Sequence, residues 1–277
     1  MIYSCPYNIL ARYRILIRIS NSVGHFPNCL QLNKITIYHF IPIILLKGII
    51  FDLDGVLVDS MPFHYRAWKK AFEDIASIDV DEKLIYSLEG MPGKELIKKV
   101  FQLKEFMDNS KIEQINCKKK ELFLGDLSFK CFPSVKTMIN NLHCTKGLVT
   151  GSTKKETDLI LKRILTNSKF EQIITGDNVK KGKPDPQAFN LFLSKTGLRP
   201  EEVIIVENSP LGVQAANNSK MRCILALNNS PLDLSEFKNL INQEDIFENT
   251  HSVYKYLRSW CNNENSKQIS LIKAKYT

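Results

Sequence analysis

The sequence predicts an α/β protein: a doubly wound parallel sheet with a helical domain inserted behind its first strand. Three observations predict it. First, short β-rich apolar runs recur at Gly48–Phe51, Gly147–Val149, Gln172–Ile174, Val203–Val206 and Cys223–Leu227. Each is too short for a helix and apolar enough to be a strand buried on both faces. Second, the later runs alternate with helical patterns at Lys155–Leu165, Asp185–Thr196 and Leu211–Asn217. Strand alternating with helix makes a parallel sheet. Third, the first two runs are separated by residues 52–146, which carry no strand pattern of their own.

That intervening stretch reads as amphipathic helices over Pro62–Ile75, Asp81–Leu88, Lys94–Leu103 and Ile112–Phe123. Pro62 suits a first helical turn, with Ser60 before it as a possible cap. The expected organisation is a sheet domain over residues 47–60 and 133–260, a helical cap over 61–132, an extension over 1–46 and a tail over 261–277. A helical insert of this kind can close over a site.

Composition bounds the function. A hydrophobic fraction of 44% with 24% charged residues suits a soluble globular protein. The net charge is +9, of which Arg12, Arg14, Arg18 and Lys34 in the acid-free residues 1–46 supply +4. No basic block is interleaved with aromatics, so a nucleic-acid partner is not expected, and an anionic small substrate accounts for a mildly basic body. The seven cysteines are odd in number and form no C-x-x-C pair. That argues against a disulfide framework or a zinc site and for a reducing, cytoplasmic setting, with most thiols buried. The apolar run Ile35–Leu46 contains His39 and Pro42 and falls short of the about 20 residues a membrane helix needs, so no membrane partner is expected. Residues 1–46 read either as an organellar targeting segment or as sequence ahead of a misassigned start; the next methionine, Met61, already lies beyond Asp52. Lys267, Lys273 and Lys275 of the tail receive no role.

In open α/β sheets ligands bind at the carboxyl ends of the strands. Those ends deliver Asp52-Leu53-Asp54-Gly55, Thr150-Gly151-Ser152, Gly182-Lys183-Pro184-Asp185 and Glu207-Asn208-Ser209. A carboxylate pair, a hydroxyl, an ammonium and a further acid thus meet at one edge. Residues two apart on extended chain point the same way, so Asp52 and Asp54 can address one substrate. Gly55 permits a tight turn beside it. A calcium loop is the rival reading of D-x-D-G, but its twelfth position would need a glutamate and is Phe63. His64 and Trp68 share a helix face, where they either reach the site or pack the insert on the sheet domain.

The segments FDLDGVLVDS (51–60), LVTGS (148–152), GKPDP (182–186) and VENSPLGVQAA (206–216) resemble the four ordered motifs of the haloacid dehalogenase superfamily. With HYRAW (64–68), the insert resembles the cap of its β-phosphoglucomutase and sugar-phosphate phosphatase subgroup. The resemblance implies a Rossmann-like core and a phosphohydrolase for small phosphorylated metabolites. It makes Asp52 the nucleophile, Asp54 the general acid and base, and Lys183 the cation that neutralises developing charge. Thr150, Gly151 and Ser152 would hold phosphate oxygens, with His64 and Lys94 as further substrate contacts. Mg²⁺ is implied as cofactor, held by Asp52, the Asp54 carbonyl, Glu207 and Asn208. Two departures stand out. Many relatives have aspartate at the position of Asn208, so one charge is missing. The mutase's phosphate-gripping arginine falls at Gly93, with Lys94 next, which favours a phosphatase over a mutase. A monomer or weak homodimer is expected. A mutase, a Mg²⁺-independent dehalogenase and a non-catalytic binding protein are the rival readings.

Overall fold

The protein is described here by a computed structural model, which covers residues 46–261, with side chains to 259. The chain opens with β1 (Gly48–Phe51), and Leu46 just before it is already buried in the core. Four helices of the insert follow: α1 (Met61–Ala76), α2 (Glu82–Ser87), α3 (Gly93–Leu103) and α4 (Ile112–Gly125). The chain then runs through α5 (Val135–Asn141), β2 (Thr145–Val149), α6 (Lys154–Arg163), β3 (Gln172–Ile174), α7 (Gln187–Thr196), β4 (Val203–Glu207), α8 (Pro210–Asn218), β5 (Arg222–Ala226), β6 (Ile246–Phe247) and α9 (Thr250–Cys261). The strands form one parallel sheet in the order β3-β2-β1-β4-β5-β6, with β1 at the centre, as the fold class predicts.

Alternation along β1 explains the layers. Ile49 and Phe51 point into one apolar layer, with Val135, Ile139, Leu148, Ile160 and Leu257. Ile50 points into the other, with Phe189, Phe192, Ile205 and Val213. Both faces are covered by helices, so the central strands read as continuous apolar runs. The insert has a core of its own, built from Trp68, Phe72, Ile85, Ile97, Val100, Phe101 and Ile115. In α1 the buried His64, Ala67, Trp68, Ala71 and Phe72 recur at helical spacing. Pro62 occupies the first turn, and the helix ends at Ser77, left-handed at φ 54°, whose amide donates to the Glu73 carbonyl while the Ile78 amide donates to that of Phe72.

The structure corrects several expectations. β3 is an edge strand, so Ile173 is 42% exposed rather than buried on both faces. Ser60 does not cap α1; its hydroxyl is drawn to Asp54 instead. Of the described thiols only Cys223 is buried, while Cys117 is exposed and Cys131 and Cys144 are half-buried. α5, β6 and α9 had no place in the sequence reading. The leader before residue 46, Cys5, Cys29, the Cys261 side chain and the tail lysines lie outside the described residues. Among the described residues no helix is long and apolar enough to cross a membrane.

Candidate active site

β1 delivers Asp52 to the carboxyl edge of the sheet, where the Asp52 amide still donates to the Val206 carbonyl at 3.0 Å. Lys183 arrives from the loop after β3. Its Nζ lies 2.5 Å from Asp52 Oδ1 and 2.5 Å from Glu207 Oε1, with all three side chains buried. Glu207 ends β4. Its other oxygen accepts from the Asn208 amide at 3.1 Å and the Ser209 hydroxyl at 3.3 Å. A Cβ on Gly212 would stand 2.0 Å from that oxygen, so the bare glycine in the first turn of α8 makes room for the carboxylate. Gly55, left-handed at φ +75°, does the same for Asn208: a Cβ there would lie 2.0 Å from Nδ2.

Asp54 belongs to a separate hydrogen-bond set. It accepts from Ser60 Oγ at 2.6 Å, Ser152 Oγ at 2.7 Å and, more loosely, Thr150 Oγ1 at 3.4 Å. His64 Nε2 stands 3.1 Å away, with its ring stacked on Phe123 at a centroid distance of 3.8 Å. Because Asp54 can only accept while ionised, Nε2 carries the proton. The Ser152 amide is used within the loop, donating to Thr150 Oγ1 at 3.0 Å. Lys94 stands apart from this constellation. It lines the cavity rim, 59% exposed, and its ammonium pairs with Glu113 at 2.6 Å.

Two side chains at the site were not singled out from sequence. Glu89, in the loop after α2, crosses from the insert and accepts from Asn208 Nδ2 at 2.7 Å. Lys119 of α4 is buried, with Nζ 3.6 Å from Glu156 of α6 and over the rings of Trp68 and Phe123. In sequence Lys118-Lys119-Lys120 reads as a solvated face. The signal that separates Lys119 is its i,i±4 spacing from Ile115 and Phe123, both buried. Glu89 carried no such signal, because only the fold brings it to Asn208. Sheet domain and insert together line a cavity of about 490 Å³ that holds Asp52, Asp54, Lys183, Thr150, His64 and Glu89.

The electrostatics pull the two aspartates apart. Burial pushes the Asp52 carboxyl up to about 8; Lys183 opposes this, but Glu207 and Asp54 reinforce it. Burial likewise raises Glu89 well above its usual range, aided by Asp52, Glu207 and Asp54. Asp54 moves the other way: burial disfavours its charge, but His64 and the hydrogen bonds from His64, Ser60 and Ser152 outweigh it. His64 is held below its usual value by burial and by Lys119, so at neutral pH it is a neutral donor. Proton linkage gives the sign of the consequence. Between about pH 4 and pH 8 the folded, cation-free protein keeps the Asp52 proton that the unfolded chain releases, so raising the pH favours unfolding. Urea denaturation in EDTA should show stability falling from pH 5 to pH 8, and added Mg²⁺ should flatten that slope. The slope should shrink in Asp52→Asn, and an unchanged slope in that variant would contradict the raised Asp52.

The donor set fits a hard divalent cation. Asp52 and Glu207 share the single ammonium of Lys183, and Glu89 is buried close enough to feel both, so carboxylates outnumber the cation beside them. Asn208 Oδ1 and Glu89 Oε1 are buried and have no hydrogen-bond partner. Buried polar oxygens without partners call for a ligand. Among the described residues no three His, Cys, Asp or Glu side chains already converge as a closed cage. Mg²⁺ needs none, because it takes one or two carboxylates and keeps several waters.

Comparison with known proteins gives the class. The profile of the haloacid dehalogenase-like hydrolase family matches residues 49–226. This chain belongs to that family and is an enzyme. Among curated relatives, it is 29% identical over 180 residues to the phosphorylated carbohydrates phosphatase of Thermotoga maritima, covering 63% of this chain and 82% of that one. It is 25% identical over 190 residues to the β-phosphoglucomutase of Bacillus subtilis, covering 64% and 81%. Among solved structures, a Bacteroides vulgatus protein provisionally named a β-phosphoglucomutase superposes with a TM-score of 0.70 at 28% identity, covering 79% of this chain and 91% of that one. The resemblance carried by the four motifs therefore holds at the level of family and fold.

Proposed function

We propose that the chain is a Mg²⁺-dependent phosphatase for small phosphorylated metabolites, sugar phosphates foremost, working through an aspartyl-phosphate on Asp52. One observation carries the reading: Lys183 Nζ sits 2.5 Å from both Asp52 and Glu207, while two residues along the chain Asp54 is held in a separate donor set. Paired carboxylates pushed in opposite directions by their surroundings take different roles.

Asp52 attacks phosphorus and the bond to the leaving oxygen breaks; Asp54 gives that oxygen its proton. The Asp54 carboxylate then takes a proton from water, which displaces the aspartate oxygen and frees phosphate. In the cation-free site the protonation is reversed, with Asp52 protonated and Asp54 ionised. Asp52, the Asp54 carbonyl, Glu207 and Asn208 would hold Mg²⁺, whose positive charge would favour an ionised Asp52 and screen the arriving dianion. The dianion in turn raises Asp54 and so loads the acid. Ser60, His64 and Ser152 orient Asp54 for both transfers, and Lys183 stabilises charge building on phosphate oxygens.

The carbohydrate-phosphatase name of the Thermotoga relative supports a sugar phosphate, and a cavity of about 490 Å³ is of small-metabolite size. Phosphatase is favoured over mutase because no arginine is among the described residues lining the cavity, Gly93 presents no side chain and Lys94 is committed to Glu113. The reading extends to a cytoplasmic enzyme acting as a monomer or weak homodimer, without nucleic-acid or membrane partners. The test is phosphate release from a panel of sugar phosphates with Mg²⁺ and with EDTA. Mg²⁺-dependent release is expected. An isomerised sugar phosphate with no free phosphate would sink the hydrolase reading.

A further inference from the structure

The loop that carries Glu89 is seated on the catalytic loops with no space to spare. Gly90 is left-handed at φ +87°, and a Cβ there would stand 2.6 Å from Lys183 Cδ. A Cβ on Gly151 would lie 3.3 Å from the Gly90 Cα, and one on Gly182 would lie 2.5 Å from Pro92 Cδ. Glycine on both sides thus lets two backbones meet where side chains would hold them apart. The close approach brings one charged group of the insert to the core: Glu89, whose Oε2 accepts from Asn208 Nδ2 at 2.7 Å.

That contact sorts the Asn208 carboxamide. With Nδ2 given to Glu89, its Oδ1 is left buried without a partner on a side chain only 4% exposed. Glu89 Oε1 is orphaned in the same way. A hydrogen bond between one atom of each group leaves one oxygen of each available to a cation. Asn208 brings an oxygen but no charge, and Glu89 brings the charge. Burying that carboxylate beside Asp52 and Glu207 is costly unless a cation joins them.

We propose that Glu89 is a cap-borne ligand, direct or through one water, of the divalent-cation site, so that metal binding and seating of the insert are one equilibrium. The idea deepens the Mg²⁺-phosphatase reading and rests on it. It makes the insert a reporter of metal occupancy: the cation holds the loop down by joining Glu89 to the core, and its loss removes that tie. Metal affinity and closure are then linked reciprocally.

The test uses the full-length chain without substrate. Mn²⁺ binding is titrated by electron paramagnetic resonance, and amide exchange of residues 88–93 is followed with and without Mg²⁺. Wild type is expected to bind Mn²⁺ and to gain protection in this loop when Mg²⁺ is added. Glu89→Gln should bind Mn²⁺ roughly tenfold or more weakly and lose the Mg²⁺-induced protection. Adding Asn208→Asp to Glu89→Gln restores a carboxylate on the core side, so it should recover affinity but not protection. That split separates a ligand from a merely structural residue. Wild-type affinity in Glu89→Gln would overturn the latch and leave the phosphatase reading standing. Weakened binding with unchanged protection would overturn the coupling. A wild type that binds no Mn²⁺ would overturn the metal reading and the latch together.

Discussion

Asp52→Asn is expected to abolish turnover, by on the order of 10⁴-fold or more, while leaving a folded protein that is no less stable than wild type without metal. The kinetic half follows from the role: an amide is no nucleophile toward phosphorus, and removing one member of a covalent catalytic unit costs nearly the whole unit. The stability half follows from the charge count. Asp52 is buried beside Glu207 and Asp54, and its ionised form is disfavoured there. A neutral amide of the same shape relieves that crowding, and Lys183 keeps Glu207 at 2.5 Å as its partner. Function and stability are therefore opposed at this position, as at many catalytic sites. Single-turnover phosphate release and thermal melting in EDTA check the two halves. Measurable phosphate release by Asp52→Asn would remove Asp52 from the nucleophile's role.

Lys183→Met should cost both function and fold. The ammonium serves Asp52 and Glu207 at once, and the lysine is only 5% exposed. Removing it leaves two buried carboxylates without their common partner, a change worth roughly 3–5 kcal/mol of destabilisation for a buried pair. Loss of a preorganised cation should lower kcat by about 10²–10³-fold. Mg²⁺ should recover much of the stability, because it neutralises the same carboxylates, but less of the rate, because it does not replace a donor aimed at phosphate. Chemical denaturation with and without Mg²⁺, beside steady-state kinetics, measures both. A variant as stable as wild type in EDTA would mean that the carboxylates relax apart or take up protons at little cost.

Both predictions concern residues legible in the sequence, and the reason is local. Strands buried on both faces leave apolar runs, and the polar residues that interrupt them fall at strand ends, which is where an open parallel sheet binds ligands. Asp52, Thr150, Lys183 and Glu207 each stand directly after, or shortly beyond, such a run, so position along the chain alone brought them to one edge. The helices of the insert were legible through periodicity: α1 alternates buried and exposed residues at a spacing that sequence shows directly. β6 escaped because two residues carry no pattern, and α5 because seven residues give it less than two full repeats.

What the sequence could not decide is which residues of the insert meet which residues of the core. The rotation of each helix and the seating of the insert are set by packing, not by spacing along the chain. Glu89 lies 119 positions from Asn208, and only the glycine-lined approach of Gly90 to Lys183 and Gly151 brings them into hydrogen-bond contact. Ser60 looked like a helix cap because capping is a local event, yet its hydroxyl goes to a charged acceptor six residues back, where a buried carboxylate offers a stronger bond than a backbone amide. Lys119 drew no attention in the sequence, and it is buried by the turn of α4 that also buries Ile115 and Phe123. By itself the sequence determined five of the sheet's six strands, the chain order of its catalytic ends and the chemistry they carry. The tertiary structure alone decided how the insert completes them, because long-range packing and buried charge, not local pattern, fix that geometry.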